Sequence, residues 1–209
     1  MRSKFLSDSQ IEIIKHHMST EHWTPFAVML DTGLRVGDVV SLKWVNILRD
    51  TFPWRICTIA EKTGKPIVCD IKASTVRLLS SSEVEHCDSD YVFPSPCYPC
   101  KHVSRVTVWR WLKRALMDVG ISSDGFSPHS FRKHFAVDKL HSDGIEAVRM
   151  ALQHTNTSTT RIYAYSDTVM SRDSDEPIRW RDLELLSDYI VDIVMENVKN
   201  IDIKSGKCQ

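Results

Sequence analysis

The stretch from Thr51 to Ile71 reads TFPWRICTIAEKTGKPIVCDI, and it decides between an all-helical chain and a mixed one. Two runs rich in β-branched and aromatic residues, Trp54 to Ile59 and Ile67 to Ile71, flank the turn former Thr63-Gly64. β-Branched side chains suit a pleated surface, and glycine accepts the positive φ of a tight reversal. The stretch is expected to form an antiparallel hairpin, with Lys62 and Lys65 flanking its tip.

Helical signals lie on both sides. Ser7-Asp8-Ser9-Gln10 has the form of a capping box ahead of Ile11, Ile13 and Ile14. A second helix is expected from about Thr24 to Leu30; Thr32-Gly33 interrupts it, and Val36 to Leu42 is helical again. Ser80 to His102, rich in Ser, Pro and Cys, is expected to be mostly loop. Ser104 caps SRVTVWRWLKRALMDVG, where Val108, Leu112, Ala115 and Val119 recur at helical spacing while Arg110, Lys113 and Arg114 project elsewhere, and Gly120 ends the run. After Pro128, HSFRKHFAVDKL is helical, Asp143-Gly144 is a turn, and Ile145, Val148 and Leu152 mark a short helix. Ser158 is a suitable N-cap for a helix carrying Tyr163, and Trp180 to Lys199 carries the apolar stripe Leu186, Ile190, Ile193 and Val194. The fold class is therefore mixed α+β, mostly α-helical with a small antiparallel sheet or hairpin.

Composition narrows the chemistry. A chain of 209 residues can bury a real core. It opens without a signal sequence, and no segment approaches the roughly 18 apolar residues of a membrane span, so an intracellular protein is expected. Cys57, Cys69, Cys87, Cys97, Cys100 and Cys208 are scattered like reduced thiols. Cys97, Cys100 and His102, with His86 and Cys87 upstream, lack the second knuckle that zinc sites use; a Pro-rich surface loop and no metal are expected. The formal net charge is zero, but residues 1–165 carry about +4 and residues 166–209 about −4, with eight Lys/Arg against three Asp between Lys101 and Leu140. A local basic patch of that kind fits a nucleic-acid partner better than the total charge suggests.

Four separated segments offer a cation or a proton-transfer group at a turn or helix start. They are Arg35 in DTGLRVGDVVSLKW, Lys62 in the hairpin, His129 with Arg132 in PHSFRKHFA, and His154 with Tyr163 in LQHTNTSTTRIY. Singly, each has an ordinary explanation in a surface ion pair, a solvated tip or a packed aromatic ring. Jointly, TGLR (Thr32 to Arg35), KTGK (Lys62 to Lys65), HSFRKHFA (His129 to Ala136) and LQHTNTSTTRIY (Leu152 to Tyr163) resemble the tyrosine recombinase, or phage integrase, family in order and spacing, over Phe5 to Ser166.

The resemblance implies the catalytic-domain fold of that family, with Arg35, Lys62, His129, Arg132 and His154 as catalytic residues and Tyr163 as the nucleophile. It implies a site-specific recombinase that cuts and rejoins DNA through a 3′-phosphotyrosyl intermediate, needing no metal and no other cofactor. The chemistry suits these residue types. Guanidinium groups stay protonated and fork onto phosphate oxygens, a histidine can take the tyrosine proton, and a lysine can protonate the leaving 5′-oxygen. Tyr165 competes with Tyr163, and the family spacing selects Tyr163. Two departures are mild: Gln153 stands where Gly is common, and Asp38 where Glu is common. A third is larger, because the catalytic pattern starts almost at Met1, so an N-terminal core-binding domain is expected to be absent, in a catalytic-domain-only member or a fragment.

Residues 1–170 are expected to form the catalytic domain and 171–209 a hinge and amphipathic tail that docks in cis or in trans. Arg110, Lys113, Arg114 and Lys133 are expected to contact DNA. Implied partners are duplex DNA with inverted-repeat sites and further copies of the chain, as a tetramer, in a prokaryotic host or a mobile element of one. A silent DNA-binding relative and a nicking-closing topoisomerase are the competing readings.

Overall fold

The computed structural model describes residues 3–50, 52–81, 86–98 and 100–153. The chain divides into two units, residues 1–135 and 136–209. His154, Tyr163, Tyr165, the Ser158 cap and the Trp180 to Lys199 stripe all lie outside the described residues.

The first unit is built on helices that bury one face each. Helix α1 (Asp8–His17) starts as its sequence requires: Ser7 Oγ accepts the Gln10 N–H, and the Gln10 side chain accepts the Ser7 N–H. Its buried residues, Ile11 and Ile14, are three apart on one face. Helix α2 (Thr20–Thr32) begins four residues earlier than expected, because Ser19 rather than the Thr24-Pro25 pair marks its start; Ser19 Oγ accepts the His22 N–H. Pro25 is accommodated one turn inside. The helix is apolar nearly all round, with eight of its thirteen residues buried, as befits a central element.

Gly33 ends α2 with φ of 65°, a conformation that costs glycine nothing and most residues a clash. The short helix α3 (Val36–Val40) follows. Strands β1 (Ile47–Leu48), β2 (Arg55–Ile59) and β3 (Pro66–Asp70) form one antiparallel sheet in the order β1-β2-β3. The expected hairpin is β2-β3, in register Cys57 to Val68 and Ile59 to Pro66, and Gly64 in its turn has φ of 65°. Ile56 and Ile67 face the core, while Cys57, Ile59 and Val68 face outward.

Three elements were not foreseen, one of them the 3-10 turn Trp44–Asn46. β1 adds a third strand, pairing Ile47 with Ile56. Helix α4 (Ala73–Ser80) packs on α2, burying Thr75 and Leu79. Its N-cap residue is Lys72, whose backbone N–H donates to Asp31 Oδ2 at 2.9 Å and ties the start of α4 to the end of α2. Burial raises the Asp31 carboxyl above its usual range, against the opposing pull of the Thr75 and Lys72 hydrogen bonds and the Lys72 charge.

Helix α5 (Arg105–Asp118) is capped by Ser104 and buries Val108, Leu112, Ala115 and Leu116 toward α1 and α2. Helix α6 (His129–Ala151) runs from the first unit into the second and is broken at Gly144, with φ of 81° and ψ of 175°, where Asp143-Gly144 was read as a turn. In the second unit Lys139 pairs with Asp143 and Arg149 with Glu146. Among the described residues, no helix is long and apolar enough to cross a membrane.

The core of the first unit holds Trp23, Phe26 and Phe131 in mutual contact, with Phe26 and Phe131 centroids 4.7 Å apart. Phe131, the one apolar position of HSFR, is fully buried, so its packing sets where His129 and Arg132 emerge. Phe131→Ala should cost about 3–5 kcal/mol by urea unfolding; a loss below 1 kcal/mol would show that the aromatic cluster does not anchor the start of α6.

Candidate active site

TGLR folds as a small clamp. Thr32 Oγ1 donates to Val28 O at 2.6 Å and accepts the Leu34 N–H at 3.2 Å. Gly33 reverses the chain, and Leu34, 1% exposed, plugs into the core. Arg35 is thereby left half-buried at the start of α3.

Arg132 closes the clamp from the opposite side. The residue is 3% exposed, and its Nη1 donates to the Gly33 carbonyl. That carbonyl lies just past the end of α2, where backbone acceptors lack helical partners, so a buried cation and an orphan acceptor satisfy each other. Ser130 is fully buried beside it, its Oγ accepting the Ser127 N–H at 3.2 Å and lying 2.9 Å from Ser3 Oγ.

Lys62 is held from below. Asp38, one turn after Arg35, is 3% exposed, and its Oδ1 accepts the Glu61 N–H at 2.9 Å. The β2-β3 turn is thus tied to α3 one residue before Lys62. Asp38 Oδ2 is buried without a hydrogen-bond partner among the described residues.

Arg35, Lys62 and His129, three of the residues singled out in the sequence, line one cleft of about 480 Å³ together with Gly37, Asp38, Glu61 and Arg105. Arg132 lies behind Gly33 rather than in the lining. The side chains of Arg35, Lys62 and Arg105 form no hydrogen bond or ion pair with other described residues. Three cations outnumber the Asp38 and Glu61 carboxyl groups in that lining and form no ion pair with either, which favours an anion in the hollow.

His129 opens onto that cleft. Burial, and then the charges of Arg132, Lys133 and Arg35, lower its pKa from 6.5 to about 4. At neutral pH the imidazole is uncharged and able to accept a proton. His154 and Tyr163 lie outside the described residues.

The other cations divide. Arg110 is exposed on α5, Lys113 lies over the Trp109 ring at 4.5 Å, and Arg114 faces Asp118 at 3.6 Å. Lys133 donates to the Ser3 carbonyl. The residue that sequence reasoning passed over is Arg105. It follows a helix cap, where a cation reads as solvated, and only the fold turns it toward Arg35.

Comparison with known proteins shows the family. A profile of the Phage integrase family matches residues 4–169. The tyrosine recombinase XerD of Vibrio vulnificus (strain YJ016) is 30% identical over 145 residues, which cover 66% of this chain and 46% of that protein. The tyrosine recombinase XerD of Haemophilus influenzae is 37% identical over 139 residues, covering 64% and 46%. Among solved structures, a lambda integrase tetramer bound to a Holliday junction superposes with a TM-score of 0.66 at 19% identity, covering 85% of this chain and 52% of that one. The chain spans about half the length of the XerD proteins it matches.

The lowered pKa of His129 has a direction that can be checked. A histidine that loses proton affinity on folding opposes folding as pH falls through 6.5 toward 4, and the opposition grows until the folded form is also protonated. His129→Gln should remove that part of the acid sensitivity, and the wild-type imidazole should titrate near pH 4 by NMR in DNA-free protein. Titration at 6 or above would contradict the cationic cleft.

Proposed function

The chain belongs to the phage integrase family, and on that premise we propose that it is a site-specific recombinase that cleaves and rejoins DNA strands through a covalent 3′-phosphotyrosyl intermediate. The observation that carries the reading is the cleft itself: Arg35, Lys62 and His129 face one hollow, with Arg132 locked behind Gly33.

Each residue has a task that its chemistry permits. Tyr163 attacks the phosphorus, forming the 3′-phosphotyrosyl bond as the bond to the 5′-oxygen breaks. Neutral His129 takes the phenolic proton, which a free tyrosine would otherwise hold up to a pH of about 10. Lys62, on the turn between β2 and β3, protonates the departing 5′-oxygen. Arg35 and Arg132 stabilise the charge on the non-bridging oxygens, and His154 donates a further hydrogen bond. The covalent intermediate conserves the bond for attack by a new 5′-hydroxyl, so rejoining reverses the same steps.

In this reading residues 1–170 act as the catalytic domain and Arg110, Lys113, Arg114 and Lys133 contact DNA. The substrate is duplex DNA with inverted-repeat sites in a prokaryotic or mobile-element setting. The chain works as a tetramer, the assembly in which lambda integrase is found on a Holliday junction. Residues 171–209 act as the hinge and tail that couple copies together. Support for the DNA face comes from α5, whose cations leave its apolar face free to pack in the core.

With a duplex recovered by selection from a random pool and nicked near the cleavage position, Tyr163→Phe should abolish the SDS-resistant adduct while retaining DNA binding. Loss of the adduct in Tyr165→Phe instead would reassign the nucleophile, and relaxation of supercoils without partner exchange would mark a nicking-closing enzyme.

Lys62→Ala should slow cleavage of ordinary DNA by about 10²-fold or more, in the range of a lost proton-transfer group. A bridging 5′-sulfur, which departs without a proton, should restore most of that rate. Equal slowing of both substrates would remove Lys62 from the acid role.

A further inference from the structure

Arg105 is the first residue of α5, yet its side chain is not spread along that helix. It lies across α3: a Cβ built on Gly37 would stand 3.5 Å from Arg105 Cδ and 3.6 Å from its Nη1. Gly37 follows Arg35 by two residues and has no positive φ, so the missing side chain serves space rather than backbone conformation. The cleft that receives Arg35, Lys62 and His129 also receives Arg105.

Its charge has no settled use within the described protein. The Arg105 side chain makes no hydrogen bond or ion pair there. Glu61 Oε2 approaches the same point over Gly37, at 3.1 Å from the built Cβ, without coming into ion-pair range of Arg105. Three cations and the two carboxyl groups of Asp38 and Glu61 line the hollow, and Arg132 lies beneath. Their sum is about +2, while one phosphodiester carries one negative charge; successive phosphates of a strand follow at a rise of about 3.4 Å.

We infer that Arg105 is a positioning residue that grips a phosphate neighbouring the scissile one, joining the DNA-facing helix α5 to the reacting centre and fixing the strand's register. The inference rests on the recombinase reading and adds a contact that the six catalytic residues do not supply. A guanidinium suits the task because it stays charged and can fork onto two oxygens of one phosphate.

The test replaces single phosphates, one and two positions to either side of the cleavage position, by neutral methylphosphonates in the selected duplex. Wild-type chain and Arg105→Ala are compared by binding, each in the Tyr163→Phe background, and by adduct formation with Tyr163 intact. Arg105→Ala should weaken binding or slow adduct formation about 10- to 100-fold, the effect of one lost charge-assisted hydrogen bond. It should also lower the slope of log K against log salt by about one. One methylphosphonate should impose a similar loss on the wild type and none on Arg105→Ala, and Arg105→Lys should recover part of the affinity.

Additive losses at every position, together with an unchanged salt slope, would overturn the phosphate grip and leave Arg105 a solvated partner of Glu61. Absence of any adduct from the wild type would count against the recombinase reading alone, since the binding arm decides Arg105 without cleavage.

Discussion

The hydrogen bond from Arg132 to the Gly33 carbonyl joins two segments 99 residues apart and fixes the site's geometry. An arginine that is 3% exposed is tolerable only where its donors find acceptors, because an unpaired buried charge costs several kcal/mol. Gly33 supplies an acceptor because the left-handed turn ends α2 there and leaves its carbonyl outside the helical ladder. The start of α6 and the turn before Arg35 are therefore held together: neither can slide without stranding a charge. His129 and Arg35 inherit their separation from that constraint, and Phe131 enforces it from the apolar side.

With the backbone fixed, charge does the rest. Arg35, Lys62 and Arg105 face the cleft while Arg132 and Lys133 stand close to His129. Like charges so placed repel one another, and the folded chain carries that repulsion as a cost to stability. The return is an anion site whose donors are oriented before any anion arrives. Burial first and the same field second lower the proton affinity of His129, so the imidazole and the cations beside it share one cleft without competing for charge. An anion bound there would partly cancel the field and raise the proton affinity of His129.

Much of this was legible because the signals were local. The Ser7 and Ser104 caps, the Thr63-Gly64 turn, the interruption at Gly33 and the break at Gly144 each follow from residues within a few positions. The features that escaped depend on distant partners. Helix α4 starts at Lys72 without a capping side chain and is tied instead to Asp31, 41 residues earlier, so no cap signal stood beside it in the sequence. Strand β1 is two residues long and exists because β2 offers it an edge. Arg105 looked like any cation at a helix start, and only the bare surface over Gly37 turns it into the cleft. The positions of Arg35, Lys62 and His129 were readable as a set; their convergence needed the Asp38 tie and the Arg132 clamp.

Two carboxyl groups in an anion site at first look misplaced. Asp38 is there for the backbone: its Oδ1 takes the Glu61 N–H and holds the Lys62 turn against α3. A neutral acceptor could make that bond, but would leave the surrounding cations less balanced in the absence of DNA. Asp38 Oδ2, buried and without a hydrogen-bond partner among the described residues, is compensated by that field rather than by a donor. Glu61 does the same more loosely at the rim, beside Arg105. The acidic pair moderates the repulsion without cancelling it, because neither forms an ion pair with Arg35, Lys62 or Arg105 and the cations remain open to an anion. A direct ion pair would have stabilised the empty cleft and made phosphate compete with a built-in anion; holding the carboxyl groups to a backbone N–H and to the cleft's edge avoids that competition.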